Sequence, residues 1–509
     1  MIECYHNLAK KSTVILLLII FLFNSTEADA MTPTDPEYSK QEAIWQQIGA
    51  QKAWDYTIGS NHVTVAVIDT GVDIWHDDLK KNIWTNPYEI PGNNYDDDGN
   101  GFVDDVHGWN FVENNNDVRT SVFNATDDQG AVSHGTIIAG LIGAVGDNGQ
   151  SGVGLNWKVK IMPLRAIDNE GNGSYKEVSE AVLYAMNNGA DVISLSVVGT
   201  HYDESLKNIL KLAYDRGIVI VSAAGNDQLN GTGNLTSNQH YPVCLDNGSA
   251  VNWIIGVSSV DENDRLSNFA DYGSCVDLVA PGEGIYSTQR YAPAYGYEKE
   301  FNGPWQGTSF SVPLVAGAAA LLKAAHPAWS AGKIISSLLK NSDDIQGKNL
   351  SFASEIGFGR LNIGKALENS PDVEVTDNYF SLKKYYFDSN TIYTKENGAH
   401  YFFAGSGDSK IVAIDSVRSL NEKNDEVYAL VTHGKYYFVD FFNYQGRKWK
   451  EVAVPVEDYS VNRLPVNIKV LVNDDKRTVQ LEFLETIKKN GKKTTKNTVF
   501  KAYDWLDNN

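Results

Sequence analysis

Short, almost uninterrupted apolar runs recur along residues 44–367, and they limit the fold more than any other feature of this chain. The runs lie at 62–68, 159–165, 191–198, 217–223, 253–258 and 276–280. Helical patterns separate several of them, at Tyr175–Asn187 and Glu204–Asp215. Strands that alternate with helices form parallel sheets, and a strand covered on both faces is apolar along its length. The sequence therefore predicts an α/β fold with a doubly wound, mainly parallel sheet.

Residues 378–509 differ, because no long helical pattern interrupts their strands. Segments of strand length, rich in aromatic and β-branched residues, lie at 410–417, 426–432, 435–442, 466–472 and 478–484. His433-Gly434, Asn473-Asp474-Asp475 and Asn490-Gly491 supply turn residues between them. This pattern predicts a second, all-β domain with a sandwich-like architecture.

The net charge changes at about residue 370, which indicates a domain boundary. The chain carries 43 Lys+Arg and 64 Asp+Glu, a net charge of −21. Residues 31–370 account for −20 of it, whereas residues 371–509 are neutral, with 20 charges of each sign. We therefore assign a large domain to 44–368, a linker to 369–377 and the β-rich domain to 378–509. Nucleic acid is excluded as a partner, because a phosphate backbone needs a basic face.

Residues 1–30 have the parts of a secretory signal peptide. Lys10 and Lys11 precede a ten-residue apolar run at 14–23, and Ala28-Asp29-Ala30 offers a cleavage site. The alternative is an uncleaved membrane anchor, although the run is short for a bilayer span. No other segment approaches the ~18 apolar residues that a span needs, so we expect no membrane association after cleavage. The protein would then be secreted, or periplasmic if the source is Gram-negative, and residues 31–43 would lead into the large domain.

Three polar residues of the large domain lie where catalytic side chains are expected. Asp69 ends the apolar run VAVID, His134 precedes the small-residue segment GTIIAG, and Ser309 begins another such segment. Each has an ordinary structural explanation by itself: a strand-end cap, a structural histidine or a helix N-terminus. Together they supply what a serine nucleophile needs, since its hydroxyl requires a histidine base and a carboxylate that fixes the imidazole. Parallel strands bring such groups to the carboxyl edge of their sheet.

These motifs, with a fourth at Ser222-Ala-Ala-Gly-Asn226-Asp227, resemble the signatures of the subtilisin-like serine proteases, the subtilases, in the order of that family. The resemblance covers roughly residues 44–367 and does not reach 371–509. It implies a subtilisin-like fold and a secreted, monomeric serine endopeptidase that acts on proteins or peptides without a cofactor for catalysis. In that mechanism Ser309 attacks, His134 transfers the proton and Asp69 orients His134. Asn226 and the Ser309 N–H hold the oxyanion.

Two further segments resemble the edges along which subtilases bind an extended substrate. One contains Gly171 and Gly173, and the other runs from Ser196 through Val198 to Gly199. Main-chain pairing along such edges supplies affinity, and pockets supply specificity. The family usually has glycine at the position of Val198, so the resemblance implies a narrower pocket that disfavours bulky aromatic residues. The alternative is that Val198 points into the core, because side chains alternate along a strand.

The sequence departs from the subtilase pattern in two places. The serine motif usually continues Met-Ala-small-Pro, whereas this chain has Phe310-Ser311-Val312-Pro313, which we interpret as altered packing behind an active serine. Only residues 31–43 lie where secreted subtilases usually carry a propeptide domain. The enzyme is expected to fold without one, to lack it in this sequence, or to use its β domain instead. Two alternative functions are an inactive protease core that serves as a secreted binding protein, and a processing protease of narrow specificity.

An acidic segment predicts bound calcium. Asp96, Asp98, Asn100 and Asp105 place oxygen ligands as in the first half of an EF-hand, but His107 replaces the acid at the twelfth position. Similar acidic loops occur in subtilases, many of which bind calcium for stability, so we expect structural Ca2+ here. A solvated acidic turn is the alternative.

Two further expectations concern metal and cysteine. Asp78 and the loop at 146–149 resemble another subtilase calcium site. Cys4 leaves with the signal peptide, and Cys244 and Cys275 remain, either as a disulfide or as two buried thiols. The family resemblance places these two cysteines in neighbouring loops, which implies that they are bridged.

Overall fold

The computed structural model describes residues 31–122, 129–249 and 251–370, and beyond them the backbone of β-strands between residues 379 and 506. The predicted signal peptide, and the predicted linker from residue 371 onwards, lie outside the described residues.

A seven-stranded parallel sheet forms the centre of the large domain. Its strands are β1 (Gly59–Asp69), β2 (Trp109–Asn110), β3 (Lys158–Arg165), β4 (Val192–Leu195), β5 (Val219–Ala223), β6 (Ile255–Val260) and β7 (Leu278–Pro281). They lie in the order β2-β3-β1-β4-β5-β6-β7, and each neighbouring pair is parallel. The chain leaves β1 towards one edge of the sheet and β4 towards the other, so a crevice opens between the carboxyl ends of these two strands. The predicted α/β fold with a parallel sheet is confirmed.

Helices cover both faces of this sheet. They are α1 (Tyr38–Gln47), α2 (Ala50–Trp54), α3 (Gln129–Gly143), α4 (Tyr175–Asn187), α5 (Glu204–Asp215), α6 (Thr308–Ala325), α7 (Ala331–Lys340) and α8 (Ile363–Glu368). Beside α3 lies an antiparallel pair of strands, β8 (Ile285–Thr288) and β9 (Phe301–Trp305). Val65 and Val67 of β1 share a core with α3 and α6. Ala66 and Ile68 share the opposite core with α4 and α5. Burial on both sides explains why the strands are apolar throughout.

Local side-chain caps set the ends of the two helices that the sequence pattern predicts. Before α4, the Ser174 side chain accepts from Glu177 N while the Glu177 side chain accepts from Ser174 N, which is a capping box. Before α5, Asp203 accepts from Leu206 N at 2.7 Å. Both helices have the predicted bounds. By contrast, β4 ends at Leu195, three residues before the predicted end of its apolar run.

Helix α6 runs through the middle of the domain, where it packs against β1, β4, β5, β6 and β7. Its 18 residues have a mean hydropathy of 1.4, so by length and composition alone this helix could cross a membrane. The expectation that no segment after the N-terminal run approaches that length is therefore wrong. In this structure 83% of the helix is buried inside the protein, as expected for the core helix of a folded domain.

The segment before residue 44 is part of the packed structure. Helix α1 begins at Tyr38 and runs across the predicted boundary between the lead-in and the large domain. Trp45 of α1 and Trp54 of α2 are buried edge to face, with ring centroids 6.1 Å apart. Asp35 is buried and accepts hydrogen bonds from Asp147 N at 2.8 Å and Asn148 N at 3.1 Å. The lead-in thereby holds the loop at 146–149.

A disulfide joins Cys244 to Cys275, whose Cα atoms are 5.1 Å apart. Both cysteines are buried in a small apolar cluster that also contains Val243 and Val276. Of the two states that the residues alone allow, the structure has the bridge.

Between residues 379 and 506 the described backbone forms antiparallel strands. They are β10 (Tyr379–Ser381), β11 (Tyr385–Phe387), β12 (Thr391–Thr394), β13 (His400–Phe403), β14 (Ser409–Ser419), β15 (Asp425–His433), β16 (Tyr436–Phe442), β17 (Lys448–Ala453), β18 (Arg463–Asn473), β19 (Lys476–Lys489) and β20 (Lys492–Leu506). They pair in the orders β10-β14-β15-β16-β17, β11-β12-β13 and β18-β19-β20. Each of the five predicted segments overlaps one of these strands. That they form a separate sandwich-like domain stays a prediction.

Candidate active site

Asp69 and His134 form a hydrogen-bonded pair at the carboxyl end of β1. Asp69 is the last residue of the strand, and its side chain is almost fully buried. Its Oδ1 lies 2.7 Å from His134 Nδ1 and accepts from Thr70 N at 2.7 Å. A carboxylate at Nδ1 selects the tautomer that carries its hydrogen there, which leaves Nε2 free to take a proton. The pair thus has the arrangement of an oriented general base.

Two glycines let the helix that carries His134 approach β1. A Cβ built on Gly135 of α3 would lie 2.3 Å from the Gly71 carbonyl oxygen, closer than any side chain allows. Gly71 has a φ of +116°, which side chains rarely tolerate, and a Cβ there would lie 2.6 Å from the Val118 carbonyl oxygen. The glycines that follow Asp69 and His134 in their motifs therefore make the contact between the two side chains possible.

The surroundings of His134 raise its pKa above that of a free imidazole. Burial acts to lower the pKa, but the negative charge of Asp69 and its hydrogen bond to the ring together outweigh burial. The ring of Phe310 lies 5.5 Å from the His134 ring, measured between centroids. Because Phe310 follows Ser309 directly, this contact brings the first turn of α6 next to His134.

Ser309 lies in the first turn of α6, against the end of β4. Ser196, one residue past β4, donates from Oγ to the Ser309 carbonyl oxygen at 2.8 Å. The Ser309 Oγ donates to the Ser196 carbonyl oxygen at 3.5 Å, which is long for a hydroxyl hydrogen bond. A Ser309–His134 hydrogen bond is not among the contacts of the described residues. Hydrogen bonds between catalytic groups are often long without substrate and tighten when it binds.

Asn226 lies just past β5 and beside the start of α6. Its Oδ1 accepts from Thr308 N at 2.9 Å and from Thr308 Oγ1 at 3.1 Å. With the amide oxygen held in this way, the Nδ2 group is left to donate to another partner. The first N–H groups of a helix have no acceptor within the helix and lie at the positive end of its dipole. Asn226 Nδ2 and Ser309 N–H are thus two donors at the N-terminus of α6.

Residues 196–199 leave the sheet beside the candidate site of Asp69, His134 and Ser309 (the triad pocket). Gly199 pairs with Tyr241 through two backbone hydrogen bonds of 2.7 and 2.8 Å. Val197 packs against the interior of the domain, whereas 42% of Val198 is exposed. The alternative that Val198 points into the core is therefore wrong, because alternation along the chain turns its neighbour inwards instead.

Gly171 and Gly173 lie in the exposed loop before α4. Tyr175, two residues after Gly173, accepts from His201 N at 3.2 Å through its hydroxyl oxygen. The same oxygen lies 2.3 Å from a Cβ built on Gly199, so Tyr175 occupies the space beside that glycine. The structure therefore connects the two predicted substrate-binding edges, and the second of them contacts Ser309 through Ser196.

The side chains that depart from the family pattern fit behind the serine. Phe310 is buried against the His134 ring. Ser311 is fully buried, and its hydroxyl lies 3.0 Å from the Ala280 carbonyl oxygen and 3.1 Å from that of Pro281, at the end of β7. The extra hydroxyl thus has partners in the sheet, so altered packing accounts for the departure.

Residues 89–105, the acidic loop, bring three carboxylates together. Oxygens of Glu89, Asp96 and Asp98 lie within 4.8 Å of one another. Burial, and to a lesser degree neighbouring carboxylates, raise the pKa of Glu89 and of Asp98. Glu89 Oε1 accepts from Asp97 N at 2.9 Å, while Oε2 is buried with no hydrogen-bond partner among the described residues. Glu89 is not predicted from the sequence, because it precedes the EF-hand-like segment and has no fixed spacing from it.

Asn100 links this group of carboxylates to the buried Asp105. Asp105 is fully buried, and its Oδ1 accepts from Asn86 Nδ2 at 2.7 Å. Its Oδ2 accepts from Tyr184 Oη at 2.5 Å and from Asn100 Nδ2 at 2.9 Å. Asn100 Nδ2 also lies 3.1 Å from Asp98 Oδ2. Both oxygens of Asp105 therefore already have neutral donors, unlike the Oε2 of Glu89.

Asp78 lies beside the loop at 146–149. It is fully buried, and its Oδ1 accepts from Asn148 Nδ2 at 2.8 Å. Its Oδ2 has no hydrogen-bond partner within the part of the chain that the structure describes. Burial raises the pKa of Asp78 to about 7, and the nearby charge of Asp35 adds to the shift. A buried carboxyl oxygen without a partner is a feature that a cation would satisfy.

Comparison with known proteins identifies the family. The sequence profile of the subtilase family, peptidase S8, matches residues 60–359, which contain Asp69, His134, Asn226 and Ser309. Thermitase of Thermoactinomyces vulgaris is 34% identical over 337 residues, which are 66% of this chain and 99% of thermitase. A thermophilic serine proteinase of Bacillus sp. (strain AK1) is 32% identical over 345 residues, 67% of this chain and 70% of that protein.

A solved structure agrees with these relatives. A protease from Pseudoalteromonas arctica matches with a TM-score of 0.51 at 28% identity, and the match covers 66% of this chain and 99% of that one. The parallel sheet, the family profile and the named relatives all point to one class of enzyme. This chain belongs to the subtilase family and is a subtilisin-like serine endopeptidase.

Proposed function

We propose that the enzyme hydrolyses peptide bonds through an acyl-enzyme formed on Ser309, with His134 as general base and Asp69 as its orienting carboxylate. The observation that carries the proposal is the 2.7 Å contact between Asp69 Oδ1 and His134 Nδ1. This contact would leave His134 Nε2 free, and the 5.5 Å between the Phe310 and His134 ring centroids supports a position of Ser309 near the imidazole.

The reaction has two halves. Ser309 Oγ attacks the scissile carbonyl carbon while its proton passes to His134 Nε2, and the tetrahedral intermediate then expels the amine, which takes that proton. Water attacks the resulting ester with His134 again as base, and collapse of the second intermediate releases the carboxylic acid and restores the Ser309 hydroxyl. The Asp69 carboxylate stabilises the imidazolium in both halves without taking the proton.

The oxyanion of each intermediate would accept hydrogen bonds from Asn226 Nδ2 and Ser309 N–H. Asn226 is suited to this role because its amide oxygen already accepts hydrogen bonds from Thr308 N and Thr308 Oγ1. Its side chain therefore needs little reorganisation when negative charge develops on the substrate oxygen. Loss of one such donor costs on the order of 10²–10³ in kcat.

A peptide substrate would lie extended between the segment of Gly171 and Gly173 and residues 196–199. The first segment is exposed, and Ser196 of the second touches the Ser309 backbone. Main-chain pairing on both sides would then place the scissile carbonyl over Ser309.

We also propose structural calcium at two places. In the acidic loop, Glu89, Asp96 and Asp98 would supply carboxylate ligands, with Asn100 and Asp105 fixing their positions. At the second place, Asp78 would use its unpartnered oxygen beside the loop at 146–149. Hard cations with oxygen ligands suit both sets of donors, and neither site contributes to the chemical step.

Export through the signal peptide completes the proposal. Met31 N donates to Asp55 Oδ1 at 3.0 Å. Cleavage after Ala30 would turn this N–H into an ammonium group that faces a carboxylate, so the contact would become an ion pair. N-terminal sequencing of the protein from culture medium tests this, and a first residue other than Met31 contradicts it.

The catalytic proposal is tested with a fluorophosphonate probe, which reacts only with activated serines. Wild-type enzyme should be labelled on Ser309, and Ser309→Ala should lose both labelling and peptidase activity while keeping the wild-type melting temperature. Ser311→Ala is the matched control, since Ser311 lies two residues along the same helix with its hydroxyl bonded to β7. Labelling that survives in Ser309→Ala would overturn the assignment.

A further inference from the structure

We propose that Asp271, paired with His240, is a positioning residue that holds residues 225–227, the oxyanion loop, in the shape that catalysis needs. The inference rests on the proposed role of Asn226 as an oxyanion donor. Neither Asp271 nor His240 lies in a sequence motif of the site, and both are buried.

Asp271 holds the backbone on both sides of Asn226. Its Oδ1 accepts from Asp227 N at 2.7 Å, and its own N–H donates to the Gly225 carbonyl oxygen at 3.0 Å. Its carbonyl oxygen accepts from Ser258 Oγ of β6 at 2.5 Å. Asp271 therefore ties the residues before and after Asn226 to the central sheet.

The oxyanion loop lies directly against this pair. Gly225 has a φ of +123°, and a Cβ built on it would lie 2.2 Å from Asp271 Oδ2 and 3.0 Å from His240 Nδ1. No side chain fits into so short a distance, so glycine is required at this position. From this close approach we infer that a shift of the Asp271 carboxylate would be passed to the backbone next to Asn226.

His240 balances the charge of Asp271. The carboxylate is fully buried, and its Oδ2 lies 2.9 Å from His240 Nδ1. Contact with Asp271, helped by the charges of Asp271 and Asp227 and opposed by burial, raises the pKa of His240. A buried carboxylate is costly unless it is paired, and the imidazole is the partner that lies against the Asp271 side chain under the loop.

His240 is itself held in place by the substrate-binding side of the site. The next residue, Tyr241, forms the two backbone hydrogen bonds to Gly199, and the His240 carbonyl oxygen accepts from Cys244 N at 3.0 Å. The pair therefore lies between the oxyanion loop and residues 196–199. A pair that contacts the oxyanion loop and is linked to residues 196–199 is suited to keep the Asn226 donor aligned with bound substrate.

A double-mutant cycle tests the proposal. The kcat and KM for a peptide amide, and the inhibition constant of a peptide aldehyde whose hemiacetal oxygen occupies the oxyanion position, are measured for Asn226→Ala, Asp271→Ala and the double variant. Asp271→Ala should lower kcat by at least about tenfold, with KM within about twofold, and should weaken the aldehyde by a similar factor. In the Asn226→Ala background the same substitution should change kcat by less than about threefold, because the donor through which it acts is gone.

Two further variants separate positioning from stability. Asp271→Asn keeps an acceptor for Asp227 N and should fall between wild type and Asp271→Ala in kcat; it also serves for the cycle if the alanine variant does not fold. Asp246→Ala is the matched control, because the Asp246 carboxylate also accepts from the backbone, from Trp253 N and Ile254 N, away from Asn226. It should lower the melting temperature and leave kcat unchanged.

The outcomes distinguish a failure of the positioning role of Asp271 from a failure of Asn226 as the oxyanion donor. Equal losses of kcat from the Asp271 substitution in both backgrounds, or a loss confined to the melting temperature, would overturn the positioning role while leaving the function of Asn226 intact. If Asn226→Ala itself keeps full kcat, the proposed oxyanion donor fails, and the positioning role fails with it.

Discussion

The triad pocket and the acidic loop both bury carboxylates, but they neutralise the negative charge differently. Asp69 meets an imidazole and a backbone N–H from elements that the fold holds at fixed positions. Glu89, Asp96 and Asp98 face one another, and burial together with like charge raises the pKa of two of them. A carboxylate paired with an imidazole can take part in proton transfer, whereas carboxylates grouped without a basic partner among the described residues favour a cation from outside.

If this distinction holds, the same Asp→Asn change has different consequences in the two regions. Asp69→Asn should lower kcat by about 10⁴-fold, because the amide no longer selects the tautomer of His134 that can act as a base. The melting temperature should change little by comparison. Steady-state kinetics and thermal unfolding of the purified variant measure both quantities.

The pH profile makes the same test sharper. The base must be neutral to accept a proton, so kcat/KM falls as pH falls through the pKa of His134. Because the pKa of His134 is raised, this acid limb of the pH profile should lie above the ~6.5 of a free imidazole. Without the Asp69 charge the pKa drops, and the residual activity of Asp69→Asn should persist to lower pH. A limb that does not move would show that Asp69 is not what raises the pKa.

The next largest expected effect is the stabilisation of the protein by calcium at the acidic loop. Calcium at about a hundredfold excess over Kd should stabilise the native state by about 2.7 kcal/mol, since it binds only the folded form. EDTA should remove this stabilisation, and Asp98→Asn should abolish the part that the acidic loop contributes. Calorimetric melting curves with and without chelator measure it.

Two controls keep this prediction specific. Asp97→Asn changes the exposed neighbour of Asp98 and should keep the calcium response, and Asp78→Asn reports on the second site alone. Well below the melting temperature, Asp98→Asn should retain wild-type kcat. A melting temperature that EDTA leaves unchanged in the wild type contradicts structural calcium at either place.

The smallest expected effect is at the rim of the triad pocket, where no charge is involved. Val198 is exposed on the proposed substrate-binding edge, and we expect wild-type enzyme to prefer Ala or Leu over Phe before the scissile bond. Val198→Gly should raise kcat/KM for the Phe peptide by roughly 10-fold, within the range of one misfit in an apolar pocket. Val197→Ala, the inward-facing neighbour, should leave the ranking unchanged. A wild-type preference for Phe that Val198→Gly does not alter would contradict the pocket assignment.

The triad pocket and the acidic loop also differ in how much of each could be predicted from the sequence. Asp69, His134 and Ser309 lie at the ends of regular elements, so their motifs include the glycines that pack around them. Helices α4 and α5 were predictable to the residue because their caps, Ser174 and Asp203, are local. Glu89 reaches its partners across an irregular loop, and Asp271 lies 44 residues after Asp227, with no periodic pattern that links them.

The end of β4 shows where a pattern misleads. The apolar run continues through Val197 and Val198, so hydrophobicity alone extends the strand to residue 198. In the structure the chain leaves the sheet after Leu195, because Ser196 bonds to Ser309 and Gly199 pairs with Tyr241. Contacts with residues distant in sequence decide that boundary, and they belong to the site.

Helix α6 carries Ser309, the proposed nucleophile, in its first turn and then packs against five strands of the central sheet. We therefore expect its later amide hydrogens to exchange with deuterium only when the domain opens as a whole, because these turns are buried in the core. At high temperature the half-life of activity should then equal the half-life of exchange protection in α6, and the enzyme should pass directly from fully active to unfolded molecules.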